Sequence, residues 1–249
     1  MEANLIEIHG LRKQFGSLAA LDGVDLTVGR GKIVGLLGPN GSGKTTLIKI
    51  LNGLLCPTAG SVLVDGHAPG LYTKAAVSYL PDKPYFSPWM RVRDAIELFQ
   101  DFYKDFDRVK ADDMCRMMEL DESRQIKTLS KGTQEKMQLM LVMSRHAQLY
   151  LRDEPIAGVD PAARDAILDT ILTNYCENST VVISTHLISD IEKVLDEAVF
   201  LKKGRIVLHD SVEAIREREG KSVDAYFREV FRVAPVNGGN EHARKTNEI

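Results

Sequence analysis

A glycine-rich run at residues 38–46 constrains the fold of this chain more than any other feature. It reads Gly-Pro-Asn-Gly-Ser-Gly-Lys-Thr-Thr and matches the phosphate-loop pattern G-x-x-x-x-G-K-[ST]. The glycines allow backbone N–H groups to turn inward around a polyphosphate, because no Cβ stands in the way. Apolar residues at 32–37 predict a buried strand before the run, and the apolar spacing at 45–54 predicts a helix after it. This order predicts phosphates bound at a helix N-terminus, where the helix dipole favours anions.

Two side chains near the end of the run indicate the chemistry of the loop. Lys44 is expected to reach the β- and γ-phosphates of a nucleotide, and the Thr45 hydroxyl is expected to bind Mg²⁺. An ordinary glycine turn is the alternative interpretation. The residues of the run that are expected to contact the nucleotide are Gly38, Pro39, Asn40, Gly41, Ser42, Gly43, Lys44, Thr45 and Thr46.

Length, charge and cysteine content exclude several classes of protein. At 249 residues the chain is long enough for one large or two small domains. A net charge of −3 gives no electrostatic case for a nucleic-acid partner, and none is expected. Three distant cysteines argue against a disulfide framework or a zinc site. No apolar segment approaches the roughly 20 residues that cross a bilayer, so the chain is not expected to span a membrane itself.

The order of the predicted elements indicates an α/β fold. Short apolar runs separated by turns predict antiparallel strands over residues 5–37, and helical character begins near residue 90. After residue 148 strands and helices alternate, which favours a mostly parallel sheet with helices on both faces. Residues 84–147 would then be a helical subdomain inserted into a single domain at 1–234. The polar residues 235–249 are expected to form a disordered tail.

Two apolar stripes in the helical region are interpreted as core, with a binding surface as the alternative. One is a set of aromatic side chains spaced i, i+3, i+4 and i+7 along a predicted helix: Phe99, Phe102, Tyr103 and Phe106. The other is a set of methionines: Met137, Met140 and Met143.

Two later strands end in residues suited to phosphate chemistry. The apolar run from residue 149 ends in Asp153 and Glu154. Beside a phosphate loop, Asp153 is expected to reach the water shell of Mg²⁺, and Glu154 to orient or deprotonate the attacking water. A second apolar strand ends in His186, which is expected to hydrogen-bond the γ-phosphate. A surface carboxylate pair and a structural histidine are the alternatives.

Residues 129–133 (Leu-Ser-Lys-Gly-Thr) precede a predicted helix and complete an ordered set of motifs. Read locally, Ser130 is a helix-capping hydroxyl and Gly132 a turn glycine. Read with the rest, the order phosphate loop, Leu-Ser-x-Gly, Asp-Glu and His resembles the ATP-binding subunit of ABC transporters. The resemblance covers about residues 4–232 and implies a P-loop NTPase of the ABC type: a mixed sheet core, an antiparallel β subdomain and an inserted helical subdomain.

This resemblance implies further roles, cofactors and partners. ATP and Mg²⁺ are the implied cofactors, with Phe15 stacked on adenine. A second ATPase subunit, identical or similar, is implied as a head-to-tail partner, and Asp160 matches the loop that joins the two sites. A separate transmembrane permease would hold the protein at the cytoplasmic face of the cell membrane, and the Leu-Ser-Lys-Gly signature is similar to that of bacterial exporters. The residues implied to meet the other subunit's γ-phosphate are Ser130, Lys131, Gly132 and Thr133.

The chain departs from the family pattern at several positions. Asp82 stands where the family usually has a glutamine that touches Mg²⁺ or the attacking water, and direct metal contact by Asp82 is one possibility. Lys131 and Thr133 replace the common glycine and glutamine. Arg152 interrupts a strand that is usually apolar, and it needs a carboxylate partner that the sequence does not identify. Residues expected to line the docking groove for the permease, or else to pack the subdomain, are Tyr85, Phe86, Trp89 and Met90.

Two rival functions compete with a transport ATPase. One is an ABC protein that acts on DNA, ribosomes or protein assembly, although the coiled-coil insertions, tandem units and basic linkers of such proteins are not visible here. The other is a nucleotide-binding regulatory module with weak catalysis, which Asp82 and Arg152 favour and Glu154 and His186 oppose.

Overall fold

Two β-sheets form the framework that carries the glycine-rich loop. The computed structural model describes residues 4–81, 86–153 and 178–232. The strands in these ranges are β1 (Asn4–Phe15), β2 (Leu18–Gly29), β3 (Ile33–Leu37), β4 (Ala59–Val64), β5 (Val77–Leu80), β6 (Leu149–Asp153), β7 (Thr180–Thr185), β8 (Glu197–Lys202) and β9 (Arg205–Ser211).

The larger sheet is mixed and holds the ends of the strands that carry the chemistry. Its order is β5-β6-β7-β3-β8-β9, in which only the β8–β9 pair is antiparallel. Every residue of β3, β6 and β7 is buried, as expected for parallel strands that are covered on both faces. Leu37 is in register with Thr185, and Asp153 with Ser184. The carboxyl ends of β3, β6 and β7 therefore meet at one edge.

The smaller sheet is antiparallel and packs its inner face on the helix after the loop. Its order is β2-β1-β4. Leu5, Ile8 and Val24 share a buried cluster with Leu47 and Ile48 of that helix. The prediction of antiparallel strands holds for β1 and β2, but it was wrong for Ile33–Leu37, which lies in the parallel sheet. This run is apolar throughout and does not alternate, because both of its faces are covered.

Helices fill the connections between strands. The segment between β5 and β6 is helical where it is described and packs around a core that includes the three predicted methionines, none of them exposed to solvent. No described helix is long and apolar enough to cross a bilayer. The helices are α1 (Lys44–Leu51), α2 (Leu71–Ala76), α3 (Val92–Phe102), α4 (Arg108–Met117), α5 (Lys131–Met143), α6 (Ile188–Ile191), α7 (Val212–Glu219) and α8 (Val223–Val230).

The aromatic stripe was only partly a core feature. Helix α3 ends at Phe102, and Tyr103 is already extended (φ −117°, ψ 109°). Phe99 is buried and packs against Phe106 at 5.9 Å between ring centroids, whereas Phe102 is 76% exposed. Phe102 is the last residue of α3 and stays at the surface, although its spacing from Phe99 predicted a buried position.

Candidate functional site

The phosphate loop connects β3 to α1 with backbone geometry that requires glycine. Gly41 and Gly43 have φ of 78° and 111°, in the region that residues with a Cβ rarely adopt. A Cβ at Gly43 would lie 2.6 Å from the Ala20 carbonyl oxygen, and a Cβ at Gly38 would lie 2.4 Å from that of Leu201. The first N–H groups of α1 lie at the end of this loop, where a helix binds anions.

Lys44 is the buried cation of the loop. Its Nζ donates hydrogen bonds to the carbonyl oxygens of Gly38 (2.7 Å) and Pro39 (3.3 Å), and the residue is 6% exposed. These bonds hold the ammonium inside the curve of the loop. A polyphosphate at the helix N-terminus would meet this charge directly.

Three oxygen-bearing side chains meet at the edge where the parallel strands end. Asp153, which is 3% exposed, accepts hydrogen bonds at Oδ1 from Thr45 Oγ1 (3.2 Å) and Ser184 Oγ (2.7 Å). Carboxylate and hydroxyl oxygens are the ligand type that Mg²⁺ takes, usually only one or two from the protein, with substrate phosphates and waters completing the shell. The donor set therefore fits a Mg²⁺ ion bound with a nucleotide. Sequence reasoning missed Ser184, although its register with Asp153 follows from parallel strands that end together.

A cavity of about 550 Å³ opens beside the loop. Phe15 lies on its wall with 48% of the residue exposed, and Lys13 Nζ lies 5.0 Å from the centroid of its ring. The size suits a nucleotide, and an exposed ring beside the glycine loop can stack on a base. Leu18 and Lys203 also line the cavity, and the sequence analysis named neither. The described residues that line it are Phe15, Leu18, Ala19, Ala20, residues 40–46 and Lys203.

His186 leaves the sheet beside the start of the loop. It follows β7, whose last residue Thr185 is in register with Leu37, so His186 and Gly38 both emerge at the same edge. The side chain is exposed. The Thr185 hydroxyl accepts a hydrogen bond from the Leu187 N–H (3.0 Å), which fixes the turn that carries His186. Three other predicted residues, Asp82, Glu154 and Asp160, lie outside the described ranges.

Comparisons with known proteins agree with this geometry. The ABC transporter family model matches residues 21–157, more than half of the chain. The chain belongs to the ABC transporter family. It is an ATP-binding subunit of the family and an ATPase, and its mixed sheet with an attached antiparallel sheet confirms the predicted fold.

Individual relatives cover most of this ABC subunit. An uncharacterized ABC transporter ATP-binding protein, YdbJ of Bacillus subtilis (strain 168), is 31% identical over 90% of this chain and 74% of its own length. The daunorubicin resistance ATP-binding protein DrrA3 of Streptomyces coeruleorubidus is 27% identical over 92% of this chain and 75% of its own. A solved ATP-binding subunit of an ABC transporter superposes with a TM-score of 0.83, at 26% identity, over 91% of this chain and 99% of that one.

The signature residues of this ABC subunit lie at the start of α5, not among the described residues that line the cavity. Ser130 caps the helix: its hydroxyl accepts a hydrogen bond from the Thr133 N–H (3.2 Å) and lies 2.7 Å from the Thr133 hydroxyl. Lys131 is exposed and lies 3.8 Å from Glu135. A Cβ at Gly132 would lie within 4 Å of no described atom beyond its own stretch of helix. This end of α5 therefore presents an open surface.

A carboxylate of α5 influences the buried Arg152, for which the sequence analysis expected a partner. Arg152 is 1% exposed, and burial lowers the pKa of its guanidinium to about 9, while the negative charge of Glu135 acts in the opposite direction. Within the described part of the chain, Nε and Nη1 of Arg152 have no hydrogen-bond partner. Glu135 thus lies 3.8 Å from the exposed Lys131, and its charge also acts on the buried Arg152. Glu135 is the first carboxylate of the helix that follows the signature, and the sequence shows this. The sequence does not show that this carboxylate acts on Arg152 of β6.

Proposed function

We propose that this ABC subunit binds Mg-ATP with the phosphate loop and positions a water for attack by means of the carboxylates that end β6. The observation that carries the assignment is the contact of Thr45 and Ser184 with one oxygen of Asp153. This contact brings the N-terminus of α1, which would bind the phosphates, together with the end of β6, which carries the carboxylates. Mg²⁺, when bound there with ATP, would neutralise charge on the β- and γ-phosphates.

Each residue then has a distinct task. The loop amides and Lys44 hold the phosphates, and Phe15 stacks on the adenine. Thr45 and Asp153 hold the metal or its waters. Glu154, next to Asp153 in sequence, accepts a proton from the attacking water, and His186 donates a hydrogen bond to a γ-phosphate oxygen. Asp82 follows a strand that ends at the same edge and remains a candidate for contact with the metal waters.

We further propose that two such subunits, identical or similar, enclose ATP between them. One phosphate loop leaves one side of the γ-phosphate open, and the exposed start of α5 is a helix N-terminus with a hydroxyl and no Cβ at Gly132 to obstruct approach. Ser130, Lys131, Gly132 and Thr133 would close the partner's site, with Asp160 in the joining loop. Hydrolysis would remove the charge that holds the pair together.

Lys44→Ala is expected to weaken ATP binding by about 100-fold, since loss of a buried charged partner costs about 2–5 kcal/mol. Titration with a fluorescent ATP analogue measures this. Lys49→Ala is the matched control, because Lys49 lies on the same helix but lines a different cavity, and it is expected to bind as the parent does. Equal affinity of parent and Lys44→Ala would place the nucleotide elsewhere.

A second cavity, of about 640 Å³, lies between the sheet and α3 and suits a protein partner. Its apolar lining includes Leu54, Leu98 and Phe102, which are 54%, 37% and 76% exposed. Lys49 and Lys74 also line it. ABC ATPase subunits work with a transmembrane permease. We propose that this groove receives a short apolar segment of that permease carrying an acidic residue, which would hold the protein at the cytoplasmic face of the membrane.

Of the four residues expected to line a docking groove, the three that the structure describes do not line this cavity. Phe86 is 8% exposed and packs 6.1 Å from Phe99 between ring centroids, and Met90 is half-buried against the same core. Trp89 is exposed but does not line the cavity. Packing of the subdomain, the alternative that the sequence left open, explains Phe86 and Met90. Tyr85 lies outside the described residues.

Phe102→Glu is expected to reduce capture of the permease by about tenfold or more, because a charge would replace a large apolar contact. The measurement is the amount of subunit that co-purifies with a tagged permease from detergent-solubilised membranes. Val109→Glu is the control: Val109 is 71% exposed on α4 and outside the groove. Both variants should keep the parent's ATP affinity. Undiminished capture of Phe102→Glu would exclude the groove as the docking site.

We propose export as the direction of transport. The similarity to a daunorubicin resistance ATP-binding protein supports this direction, since resistance to a drug is consistent with its removal from the cell.

A further inference from the structure

The turn between β8 and β9 contains a lysine in a conformation that lysine rarely adopts. Lys202 pairs with Arg205, which leaves Lys203 and Gly204 as a two-residue turn. Both have positive φ, 49° and 76°. Two-residue hairpin turns with positive φ at both positions strongly favour Asn-Gly or Asp-Gly: any Cβ is strained there, and the short polar side chains of Asn and Asp offset this by local hydrogen bonds. Lysine at the first position thus requires another explanation, and such outliers concentrate at functional sites.

The tip of this hairpin is fixed against the phosphate loop. Gly204 donates a backbone hydrogen bond to the Ser42 carbonyl oxygen and accepts one from the Asp22 N–H, both at 2.9 Å. A Cβ at Gly204 would lie 2.8 Å from the Ala20 carbonyl oxygen, so the approach is close. Arg205 holds the Asp22 carboxylate through two nitrogens, at 3.0 and 2.6 Å. The position of Lys203 relative to the loop is therefore determined by the fold.

Lys203 faces the nucleotide cavity, whereas its neighbour does not. The cavity is lined by Lys203 on one wall and by residues 40–46 on another, and Lys203 is exposed. Among the described lining residues, the only charged side chains are Lys44 and Lys203. Lys202 instead donates to the Val230 carbonyl oxygen (2.8 Å) and lies 5.2 Å from the centroid of the Phe231 ring. The strained turn residue thus supplies the cavity's second cation.

We propose that Lys203 is a second phosphate-binding lysine of this site, whose ammonium pairs with a phosphate oxygen of bound ATP or ADP. The backbone strain at Lys203 is tolerated because contacts with Ser42, Asp22 and Ala20 fix the tip of the hairpin. Asparagine would suit the turn better, but it carries no charge. This inference rests on the nucleotide site proposed above. It adds a ligand from a hairpin about 160 residues beyond the loop.

Lys203→Asn tests the proposal without disturbing the turn, because asparagine is favoured at this position. The thermal midpoint without nucleotide should equal or exceed the parent's. ATP and ADP affinity should fall about tenfold, as expected for loss of a hydrogen bond to a charged group, while adenosine affinity stays at the parent's value. Isothermal titration with ATP, ADP and adenosine gives the three values. Lys104→Asn, on an exposed loop outside the cavity, controls for the change in net charge.

The outcomes separate the two proposals. If Lys203→Asn binds ATP as tightly as the parent while Lys44→Ala does not, the role of Lys203 is wrong and the nucleotide site stands. If Lys203→Asn and Lys104→Asn lose affinity equally, the effect is one of overall charge, and the role of Lys203 is again wrong. If Lys44→Ala also binds normally, the site itself is wrong and the inference fails with it.

Discussion

Glu154→Gln is expected to bind ATP as the parent does but to hydrolyse it at about one hundredth of the parent rate or less. Glutamine keeps the size and a hydrogen-bond acceptor, but it does not take a proton, and a general base contributes about 10²–10⁴-fold to rate. The position follows Asp153, which Thr45 and Ser184 hold at the mouth of the phosphate loop. Phosphate release at saturating Mg-ATP measures the rate, and analogue titration measures the affinity.

The same substitution is expected to trap the ATP-bound pair of subunits. With hydrolysis slowed, the γ-phosphate persists and continues to join the phosphate loop of one subunit to α5 of the other. Size-exclusion chromatography with light scattering should show a shift from the 27.7 kDa monomer to twice that mass when ATP is added. A Lys44→Ala/Glu154→Gln double variant should remain monomeric. Turnover of Glu154→Gln at the parent rate would remove Glu154 from the mechanism, and a monomer with saturating ATP would contradict the two-subunit site.

The parts of the site that the sequence predicted are those whose geometry is set locally or by strand order. The glycine loop binds through its own backbone, so a strand, a loop and a helix in sequence define it. Asp153 is the last residue of β6 and His186 directly follows β7. The carboxyl ends of these parallel strands meet at one edge of the sheet. The structure places Asp153 against Thr45, so the two residues predicted to share a metal lie together.

The parts that the sequence missed depend on how distant segments dock. Lys203 reaches the cavity because Gly204 packs on the Ala20 backbone, a contact across about 180 residues. Phe102 was assigned to the core because the apolar period continues through it, whereas the helix ends there. Periodicity does not show where a helix stops when no glycine or proline marks the end.

The local role of the signature serine is compatible with its proposed function. In the single subunit the Ser130 hydroxyl caps α5 through Thr133, as the local pattern predicts. The cap orders the start of the helix, where Lys131 and Gly132 are exposed. In the proposed two-subunit site, such order would favour binding of the partner's γ-phosphate, because the binding groups are already in place.

Arg145→Met is expected to lower the free energy of unfolding by about 3 kcal/mol, the lower end of the cost for a buried ion pair, because Asp105 keeps some contact with solvent. Arg145 follows α5 and its side chain is 2% exposed. Nε and Nη2 donate to the two oxygens of Asp105 (3.1 and 3.0 Å), and Nη1 donates to the Val77 carbonyl oxygen (2.7 Å). The guanidinium also bonds the Ala75 carbonyl and lies 3.8 Å from the centroid of the Tyr103 ring. It thus joins the end of α5 to the start of β5 and to the loop after α3.

Removal of the guanidinium leaves the Asp105 carboxylate and two backbone carbonyls without their donor, and methionine replaces only the packing. For a chain of this length the thermal midpoint should fall by about 10 °C, as followed by circular dichroism.

Arg116→Met makes the same exchange in an exposed pair with Asp113 and should leave the midpoint unchanged. Arg145→Lys should fall between the parent and Arg145→Met, because a lysine keeps the charge but lacks the fork that bonds several acceptors at once. If Arg145→Met melts with the parent, the connection between the helical segment and the sheet does not depend on this side chain, and the apolar core around Met137, Met140 and Met143 must hold the two together.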